Sequence, residues 1–423
     1  MNSDTVVLKF GGTSVGSFER IQATAQRVAD IALRRPRLVV VVSAMAGETD
    51  RLLKLGHSLN QRQCADVLRE MDSLAATGEQ VSAALMALAL QQLGRRARSF
   101  TAHQVNIATD GRFQRARIKS IDSQPLLDSL AAGYICVVTG FQGTDESGNL
   151  VTLGRGGSDT SAVAIAVALN AGLCEIYTDV EGVYTADPRL VPHARKIPEL
   201  AYDEMLELAS TGAKVLMIRS VELAMKSNLN LVVRSSFTNA PGTLIRPMNG
   251  NLEEPVVSGL SHDLRQAKIS ILGLPAAPAS LAAALGPLAQ DDISVDFITQ
   301  NVGTDGLMSV AFTVEQGLLE RAVTSLRSHV SPEHFPGVQI QVDEKLAKVS
   351  AVGIGMRTHA GVAYRVFASL TRAHIAIHMA LSTEIRVSCL IAVADCERAL
   401  QVLHVEFFGA ASALGSGAGA VAS

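Results

Sequence analysis

The sequence predicts an α/β protein in which an open, mostly parallel sheet lies between helices, followed by two smaller α+β modules. Three observations lead to this fold class. Short runs rich in Val and Ile alternate with longer helical patterns as far as Asn239. These runs are nearly continuous in hydrophobicity, which is typical of strands covered on both faces. Beyond them, a weak repeat of strand and helix patterns indicates a small module that is present twice.

The predicted elements of the first part follow one another in strand–helix order, which favours a sheet with helices on both faces. The predicted strands are Val6–Lys9, Leu38–Ser43, Ile135–Thr139, Glu175–Thr178 and Leu231–Arg234. The predicted helices are Phe18–Arg34, Gln63–Leu93, Thr160–Asn170, Tyr202–Ala209 and Ala213–Asn228.

The second part carries the internal repeat. Its matching segments are Ala267–Ser270 with Ala347–Ser350, Ile293–Asp296 with Ile375–His378, and Leu307–Val314 with Ile385–Val393. Each copy has the pattern strand, helix, strand, strand, which predicts two copies of one module. Chance similarity between short β-rich segments is the alternative interpretation.

Changes in composition define the expected domain boundaries. A cluster of Pro, Gly and Asn between Asn239 and Asn251 marks the end of the first domain. The last residues are almost entirely Ala, Gly and Ser, as in a flexible tail without chemistry. The predicted divisions are a larger domain over 1–247, a linker over 248–264, modules over 265–342 and 343–408, and the tail over 409–423.

Charge and composition exclude several classes of protein. The formal net charge is -3, so the sequence has no basic footprint for nucleic acid. Its longest apolar runs are far shorter than the roughly 20 residues that span a membrane, and Met1–Phe10 lacks the pattern of a signal peptide. The 5 cysteines are scattered and form no C-x-x-C pair. We therefore expect a protein of the reducing cytoplasm.

The first motif with chemical content is Lys9–Ser14, which follows the first strand directly and contains Gly11 and Gly12. Two glycines at a strand end allow backbone N–H groups to approach a phosphate closely. A lysine beside them supplies a positive charge for a phosphoryl group. The alternative is an ordinary strand-to-helix turn with a surface lysine. The G-x-x-x-x-G-K-[ST] pattern of P-loop proteins is absent.

The second motif is Gly154–Ser161, a glycine-rich loop that leads into a helix of small apolar residues. A loop of this kind at a helix N-terminus is suited to binding anions. Arg155 can hold a carboxylate through two parallel hydrogen bonds. The dinucleotide fingerprint G-x-G-x-x-G is not met, because Asp159 occupies its last position. The alternative is a capped helix with a surface arginine.

The third motif, Thr178–Arg189, follows a strand and is rich in turn residues. Tyr184 is suited to stacking on a base, and Arg189 to pairing with phosphates. The alternative is a surface loop that contains an Asp-Pro turn.

Together and in this order, the three motifs resemble those of the amino-acid kinase superfamily, and within it the aspartate kinases. Val42–Met45 and Arg234–Ser236 add to the resemblance, which covers nearly the whole chain. The repeated module resembles the paired ACT domains of that family. The resemblance implies transfer of the γ-phosphate of ATP, with Mg²⁺ on the nucleotide, to the β-carboxylate of L-aspartate. It implies no dedicated protein metal site.

The resemblance also assigns roles to individual residues. The catalytic group is Lys9 with Asp159, which orients it, and Arg155. The residues expected at the nucleotide and its phosphates are Lys9, Phe10, Gly11, Gly12, Ser43, Thr178, Asp179, Tyr184, Asp187, Arg189 and Lys214. The residues expected at the amino-acid substrate are Thr49, Glu79, Arg155, Gly156, Gly157 and Ser158. Within this set, Glu79 meets the substrate's ammonium group, Arg155 meets its α-carboxylate, and Asp179 is a candidate carboxylate for Mg²⁺.

The ACT modules imply binding of lysine or threonine as an effector, at Asp296, Gln300, Ala376 and Ile377. Here the sequence departs from the family. The first-module loop Leu274–Ser280 lacks the family's acidic residues, and Ala376 stands at a position often filled by Asn. We therefore expect weakened or altered feedback; the alternative is that backbone N–H groups still hold the effector. The resemblance further implies a homodimer formed through the ACT modules, and leaves open a shorter regulatory chain that starts near Met248.

Two other functions compete with this interpretation. A sister kinase that acts on glutamate or acetylglutamate would share the phosphate motifs, but those relatives lack paired ACT modules. A non-catalytic, effector-binding regulatory protein would account for the residues from about Met248 onward, but a complete set of phosphate motifs precedes them.

Overall fold

The computed structural model describes residues 4–213, 215–247, 256–330, 333, 335–357, 359 and 361–409. The chain divides into two compact units. The first unit comprises Met1–Tyr184 and Lys196–Glu253, and the second comprises Thr185–Arg195 and Glu254–Ser423.

The first unit contains the strand–helix alternation that the sequence predicts. Its strands are β1 (Thr5–Phe10), β2 (Arg37–Val42), β3 (Ala97–Phe100), β4 (Ile107–Thr109), β5 (Ile118–Ile121), β6 (Ile135–Thr139), β7 (Gln142–Thr144), β8 (Leu150–Thr152), β9 (Leu173–Thr178), β10 (Glu199–Ala201), β11 (Leu231–Ser235) and β12 (Thr243–Arg246). Its helices are α1 (Phe18–Ala32), α2 (Glu48–Leu59), α3 (Ala65–Gln92), α4 (Gln124–Ala131), α5 (Gly157–Ala168), α6 (Tyr202–Ser210) and α7 (Ile218–Lys226).

The main sheet of this unit has 8 strands in the order β10-β12-β11-β9-β1-β2-β6-β3. The strands from β11 to β3 run parallel to their neighbours, and β12 pairs with β11 in the antiparallel sense. Side chains of β1 and β2 are almost entirely buried in a core shared with α1 and α3. The α/β prediction is therefore confirmed. Because open α/β sheets bind ligands at the carboxyl ends of their strands, the ends of β1, β2 and β9 mark the expected site.

Three helices begin at residues other than those predicted, and α3 differs least, since it begins at Ala65 rather than Gln63. Helix α5 begins at Gly157 rather than Thr160, because Gly156 adopts the left-handed conformation and starts the helix there. Helix α7 begins at Ile218 rather than Ala213, because Met217 has extended backbone angles. Before this helix, the Val215 N–H donates to the Ala213 carbonyl at 2.8 Å.

A smaller sheet stands beside the main one, with the strand order β5-β4-β7-β8. Strand β8 ends two residues before Gly154 and so leads directly into the glycine-rich loop. The main-chain N–H of Leu153 donates to the Phe141 carbonyl at 2.8 Å, which fixes the last residue before that loop.

Helix α3 is the longest helix of the described chain, with 28 residues. By length and composition alone it is also the one helix of the described residues that could cross a membrane. Half of its apolar window is buried inside the protein, and Asp72 and Glu79 are buried polar residues on it. A helix that packs against β2, β3, β6 and β8 in this way is a core helix of the unit.

The second unit contains the two repeats in one sheet. Its strands are β13 (Gly259–Pro275), β14 (Asp296–Val302), β15 (Leu307–Glu315), β16 (Gln339–Val352), β17 (Met379–Ser382) and β18 (Arg386–Ala392). Its helices are α8 (Pro278–Gln290), α9 (Leu319–His329), α10 (Val362–Arg372) and α11 (Cys396–Phe408). The strand order is β14-β15-β13-β16-β18-β17, which is symmetric about β13 and β16.

The two long strands of this sheet connect the repeats. Ile269 of β13 pairs with Phe312 of the first repeat, whereas Ser261 at the other end of β13 pairs with Ser350 of the second repeat. Residues 259–264, predicted as linker, are therefore part of a strand that completes the sheet of the second module. Residues 248–255 of the predicted linker and the tail from residue 410 lie outside the described residues.

The segment 185–195 departs from the predicted domain 1–247, because it packs with the second unit. Ala186 and Val191 lie in a buried cluster with residues of β16 and α11. The Thr185 hydroxyl is hydrogen-bonded to the ring of His404 at 2.9 Å. No local feature of the sequence indicates this exchange, since it depends on which surface the segment meets in the folded chain.

Candidate active site

Lys9 and Asp159 form the centre of the candidate site. Lys9 is the penultimate residue of β1. Asp159 lies in the first turn of α5, and this helix packs against β1. The Lys9 Nζ is 2.6 Å from the Asp159 Oδ1, and each side chain is 11% exposed. The pair is thus sheltered but reachable, and it holds an ammonium group at the carboxyl end of the central strand.

The loop after β1 approaches the loop after β2 very closely. A Cβ atom at Gly12 would lie 2.9 Å from the Ala44 carbonyl oxygen, so a larger residue would separate the two loops. The Gly11 N–H donates to the Tyr177 carbonyl at 3.3 Å, and the Ser43 N–H donates to the Phe10 carbonyl at 3.1 Å. These bonds hold the ends of β1, β2 and β9 together around Lys9.

Phe10 was predicted to contact the nucleotide, but its side chain is fully buried. It stacks on Tyr177, with ring centroids 4.6 Å apart. The Phe10 ring does not reach the site, because alternate side chains of a strand point to opposite faces and this ring faces the core.

The glycine-rich loop brings Arg155 to the same edge of the sheet. Gly156 has a φ of +68°, and a Cβ atom there would lie 1.8 Å from the Met217 side chain, so glycine is required. Gly157 and Ser158 form the buried first turn of α5. The Arg155 side chain is exposed, and it forms no ion pair or hydrogen bond with another described residue. Its guanidinium is thus free to meet an anion.

Glu79 is a buried carboxylate beside this centre. It is 2% exposed, and its Oε1 accepts a hydrogen bond from the Ala44 N–H at 2.9 Å. Its Oε2 is buried without a hydrogen-bond partner among the described residues. Burial raises the pKa of Glu79 to about 7, although the bond from Ala44 acts in the opposite direction. A buried acceptor without a partner is costly, so this oxygen is a strong candidate for contact with a cationic ligand.

Thr49, the other residue predicted at the substrate, lies in the first turn of α2. That turn packs on α3 next to Glu79, since a Cβ atom at Gly78 would lie 3.6 Å from Glu48 and 3.7 Å from Leu52. The structure therefore gathers the end of β1 with Lys9, the first turn of α2 with Thr49, the Ala44 main chain and the middle of α3 with Glu79. The Ala44 N–H is a contact that sequence reasoning missed, because nothing in a residue type marks its main chain as functional.

Three of the residues predicted at the nucleotide lie at the end of β9 or in the segment that follows it. Thr178 ends β9, and its hydroxyl donates to the exposed carboxylate of Asp179 at 3.1 Å. Tyr184 is half-buried, and burial together with Glu181 raises the pKa of its hydroxyl. All three belong to the first unit, as does Lys9.

Two of the other predicted nucleotide residues belong to the second unit, and one lies outside the described residues. Asp187 and Arg189 belong to the second unit, where the Arg189 Nη2 contacts the Asp187 Oδ2 at 2.7 Å. Lys214 lies outside the described residues. The contribution of these three residues to a nucleotide site stays a prediction.

A second link at the ends of β1 and β11 was also missed. The hydroxyls of Ser14 and Ser236 are 2.5 Å apart, and the Ser236 N–H donates to the Thr178 carbonyl at 2.8 Å. Ser236 belongs to the Arg234–Ser236 motif, so the motif itself was the available signal. Its hydrogen bonds connect the loops that follow β1 and β9.

The predicted effector residues lie in the second unit. Asp296 begins β14, and its Oδ2 is 2.8 Å from the Nζ of Lys348, whose side chain is only 5% exposed. Burial opposes ionisation of Asp296, but the hydrogen bond and charge of Lys348 hold its pKa below the usual range. The Gln300 Nε2 is 3.5 Å from the Met308 sulfur. Ala376 and Ile377 precede β17, and no described hydrogen bond or ion pair joins them to Asp296 or Gln300.

Comparisons with known proteins agree with this architecture. The Amino acid kinase family model matches residues 4–235, and an ACT domain model matches residues 349–407. An aspartokinase from Helicobacter pylori is 46% identical over 406 residues, which cover 95% of this chain and 98% of that protein.

Two solved structures of the Escherichia coli enzyme are also similar. Aspartokinase III in complex with aspartate and ADP matches with a TM-score of 0.78 and 29% identity, over 96% of this chain and 100% of the other. The same enzyme in complex with lysine and aspartate matches with a TM-score of 0.74 and 30% identity, over the same shares. The predicted amino-acid kinase fold with ACT modules is confirmed, and the chain belongs to the aspartokinase family.

Proposed function

We propose that the site around Lys9 transfers the γ-phosphoryl group of ATP to the β-carboxylate of L-aspartate, giving 4-phospho-L-aspartate. The single observation that carries this assignment is the Lys9–Asp159 pair at the carboxyl end of β1, 2.6 Å apart and beside a glycine loop. Membership of the aspartokinase family supports it. So does the similarity to an Escherichia coli enzyme described in complex with aspartate and ADP.

Phosphoryl transfer to a carboxylate requires neutralisation of negative charge rather than a general base. A carboxylate is already a nucleophile at neutral pH, so the barrier arises from repulsion between its charge and the phosphates. Catalysis of such a transfer rests on in-line positioning and on positive charge near the moving phosphoryl group. Lys9 supplies that charge, and Asp159 fixes the direction in which its ammonium group points. The main-chain N–H of Gly12 adds a further donor, whereas that of Gly11 already binds the Tyr177 carbonyl.

The donors present fit a Mg²⁺ ion that arrives with the nucleotide. The described residues contain no group of three or more His, Cys, Asp or Glu side chains that would hold a metal alone. Mg²⁺ commonly keeps its waters and binds through phosphates and one or two carboxylates. Asp179, exposed at the end of β9, is the side chain we assign to that role. The ion would neutralise charge on the transferring phosphate.

The substrate clamp consists of Glu79 and Arg155. The partnerless Oε2 of Glu79 receives the ammonium group of the amino acid, and the free guanidinium of Arg155 pairs with its α-carboxylate. Thr49 stands beside this clamp. A substrate with one ammonium group, one α-carboxylate and one side-chain carboxylate satisfies every group in the site.

ADP release measured with aspartate, glutamate and acetylglutamate tests the assignment. We expect activity with aspartate, and little with acetylglutamate, because an acetylated amine offers no charge to Glu79. In the same assay, Arg155→Ala is expected to raise the KM for aspartate by about 10- to 100-fold, since a charged hydrogen-bonded pair is lost. The KM for ATP should stay nearly unchanged.

The matched control is Arg34→Ala, which removes an exposed arginine from the end of α1 and should change neither constant. An unchanged KM for aspartate in Arg155→Ala would refute the role of Arg155. Preferred use of glutamate or acetylglutamate by the wild-type enzyme would replace the proposed function by that of a sister kinase.

We also propose that feedback by lysine and threonine is weakened in this chain. The loop from Leu274 to Ser280 offers no acidic side chain, and Asp296 is already engaged by the ammonium group of Lys348. An amine effector therefore has to compete with an internal ammonium for the same carboxylate. The similarity to an enzyme structure that contains lysine supports an effector role for this region.

Lysine and threonine at about millimolar concentration, alone and combined, are expected to inhibit only weakly, because one lost carboxylate contact costs about 10- to 100-fold in affinity. Lys348→Met, which frees Asp296, should increase inhibition by lysine. Lys268→Met is the matched control: it occupies the same position in the first repeat and pairs with Asp343 at 3.1 Å. Strong inhibition of the wild-type enzyme at these concentrations would contradict the proposal.

Dimerisation through the second unit and a cytoplasmic location complete the proposed function. The edge strands β14 and β17 each have one neighbour in the described sheet, which leaves one side available for pairing with another chain. The 5 cysteines are all free, and 4 of them are buried, as expected for a protein of a reducing compartment. A shorter regulatory chain from near Met248 stays a prediction.

A further inference from the structure

Asp72 is a buried carboxylate that the proposed chemistry does not use. It lies on α3 and is 1% exposed. Its Oδ2 accepts hydrogen bonds from the N–H groups of Gln114, at 2.8 Å, and Thr152, at 2.7 Å. Its Oδ1 accepts one from the Thr152 hydroxyl at 2.9 Å. Three donors converge on a side chain that pairs with no cation within the described part of the chain.

Its partners are the two segments that border the glycine-rich loop. Thr152 is the last residue of β8, two residues before Gly154. Gln114 has a φ of +63°, and its carbonyl oxygen lies 2.8 Å from where a Cβ atom of Gly154 would stand. Asp72 therefore holds both the end of β8, just before the Arg155 loop, and the segment at Gln114 that packs against Gly154.

The same helix carries Glu79 two turns further on. Residues seven apart on a helix lie on nearly the same face, and roughly 10 Å separates them along the axis. Glu79 and Asp72 are both buried on α3; Glu79 accepts from the Ala44 N–H, and Asp72 accepts from the N–H groups of Gln114 and Thr152. Through this helix, the loop that carries Arg155 is tied to the carboxylate of Glu79.

The same root of the loop is also held from α7. The Arg219 guanidinium donates to the Leu153 carbonyl at 2.7 Å and to the Ala116 carbonyl at 2.9 Å. The loop is thus anchored at its root from two helices, whereas the Arg155 side chain itself is free. Of the two anchors, only Asp72 lies on the helix that also bears Glu79.

We propose that Asp72 is a positioning residue for the amino-acid substrate: it sets the separation between Arg155 and Glu79. The inference rests on the proposed function, in which those two side chains clamp the α-carboxylate and ammonium group of aspartate. A buried carboxylate without a cation costs more than an apolar contact of the same size. The three hydrogen bonds of Asp72 fix the distance between α3 and the Arg155 loop, which an apolar side chain could not do.

The first test is Asp72→Asn, which keeps the shape of the side chain but places an NH₂ group against a donor. The KM for aspartate is expected to rise about 10- to 100-fold, because the loop shifts relative to Glu79. The kcat should change less than about threefold, and the KM for ATP should not change, since Lys9 and the strand ends are untouched.

A milder pair of variants covers the case in which Asp72→Asn does not fold. Thr152→Val removes only the hydroxyl bond to Asp72, and Thr152→Ser keeps it. We expect the KM for aspartate to rise in Thr152→Val and to stay at the wild-type value in Thr152→Ser. In the double variant Arg155→Ala with Thr152→Val, the two effects should not add, because Asp72 acts through Arg155.

Leu90→Ala separates positioning from stability. Leu90 is fully buried at the other end of α3, so its truncation should lower the Tm without raising the KM for aspartate. Equal effects of Asp72→Asn and Leu90→Ala on both KM values, or additive effects in the double variant, would overturn the inference. If Arg155→Ala raises the KM for aspartate but the Asp72 and Thr152 variants do not, only this inference fails. If the wild-type enzyme releases no ADP with aspartate, the proposed function itself is refuted.

Discussion

Lys9→Met is expected to lower kcat for phosphoryl transfer by about three orders of magnitude, the cost typical of removing one preorganised stabilising group. Methionine fills nearly the same volume as lysine, so the strand should pack as before. The ammonium group is the only part removed, and it lies 2.6 Å from Asp159 at the end of the central strand. Because it acts on charge that develops during transfer, kcat should fall far more than the affinity for ATP.

Steady-state ADP release with saturating aspartate measures this effect, and ADP binding measured by calorimetry shows whether the nucleotide pocket is intact. Lys226→Met, at the exposed end of α7, is the matched control and should leave kcat unchanged. A kcat for Lys9→Met within about tenfold of the wild-type value would show that positive charge at this position does not carry the catalysis.

The fold of the first unit was accessible from sequence because its strands are buried on both faces. Such strands leave continuous runs of Val and Ile, as in β2, and these runs are visible without knowledge of any contact. The repeat in the second unit was visible for a similar reason, since the segments Ala267–Ser270 and Ala347–Ser350 occupy equivalent positions in β13 and β16. The hydrophobic pattern of the sequence was therefore sufficient to predict the strands of the first unit and the repeat in the second.

The sequence did not show which part of the fold a given segment packs against. The segment 185–195 packs with the second unit, and the start of β13 pairs with the second repeat rather than acting as a linker. Both depend on contacts between residues that are distant in the chain. Local composition is the same whether such a segment covers one core or another, so it predicts a loop or a strand but not its neighbour.

The candidate site shows the same division. Lys9 and the glycines could be identified from the sequence, because a lysine and two glycines directly after a buried strand indicate a phosphate-binding loop. Glu79 does not, since a glutamate on a helix is usually solvated; its burial follows from the packing of Ala44 against Gly78. Asp72 gave no signal at all, because its role is visible only once Thr152 and Gln114 are seen to donate to it.

Binding of aspartate is expected to weaken in acid because of Glu79. Burial raises the pKa of this carboxyl from 4.5 to about 7, so about half of the free enzyme carries a neutral Glu79 at neutral pH. Only the ionised form attracts the substrate's ammonium group. For one such ionisation, the KM for aspartate should be about tenfold higher at about pH 6 than at about pH 8. The KM for ATP should not follow this curve.

Glu79→Gln tests the origin of this dependence. The amide can still accept from the Ala44 N–H, but it has no charge, so the KM for aspartate should be high and nearly independent of pH. Glu204→Gln is the matched control, because Glu204 is a buried glutamate of α6, a helix that packs on α7, β10 and β12, and it should keep the wild-type profile. A Glu79→Gln enzyme with the wild-type pH profile would contradict the assignment of Glu79 to the ammonium group.

Thermal unfolding supplies an independent check with a defined sign. Because the folded-state pKa of Glu79 is raised above its unfolded value of 4.5, the folded protein holds this proton more tightly than the unfolded chain does. The group's contribution to stability is therefore fully present below about pH 4.5 and is lost as the pH rises to about 7. The Tm of Glu79→Gln relative to wild type should rise across that window and then stay constant. A difference in Tm that does not vary with pH would mean that Glu79 is already ionised in the free enzyme.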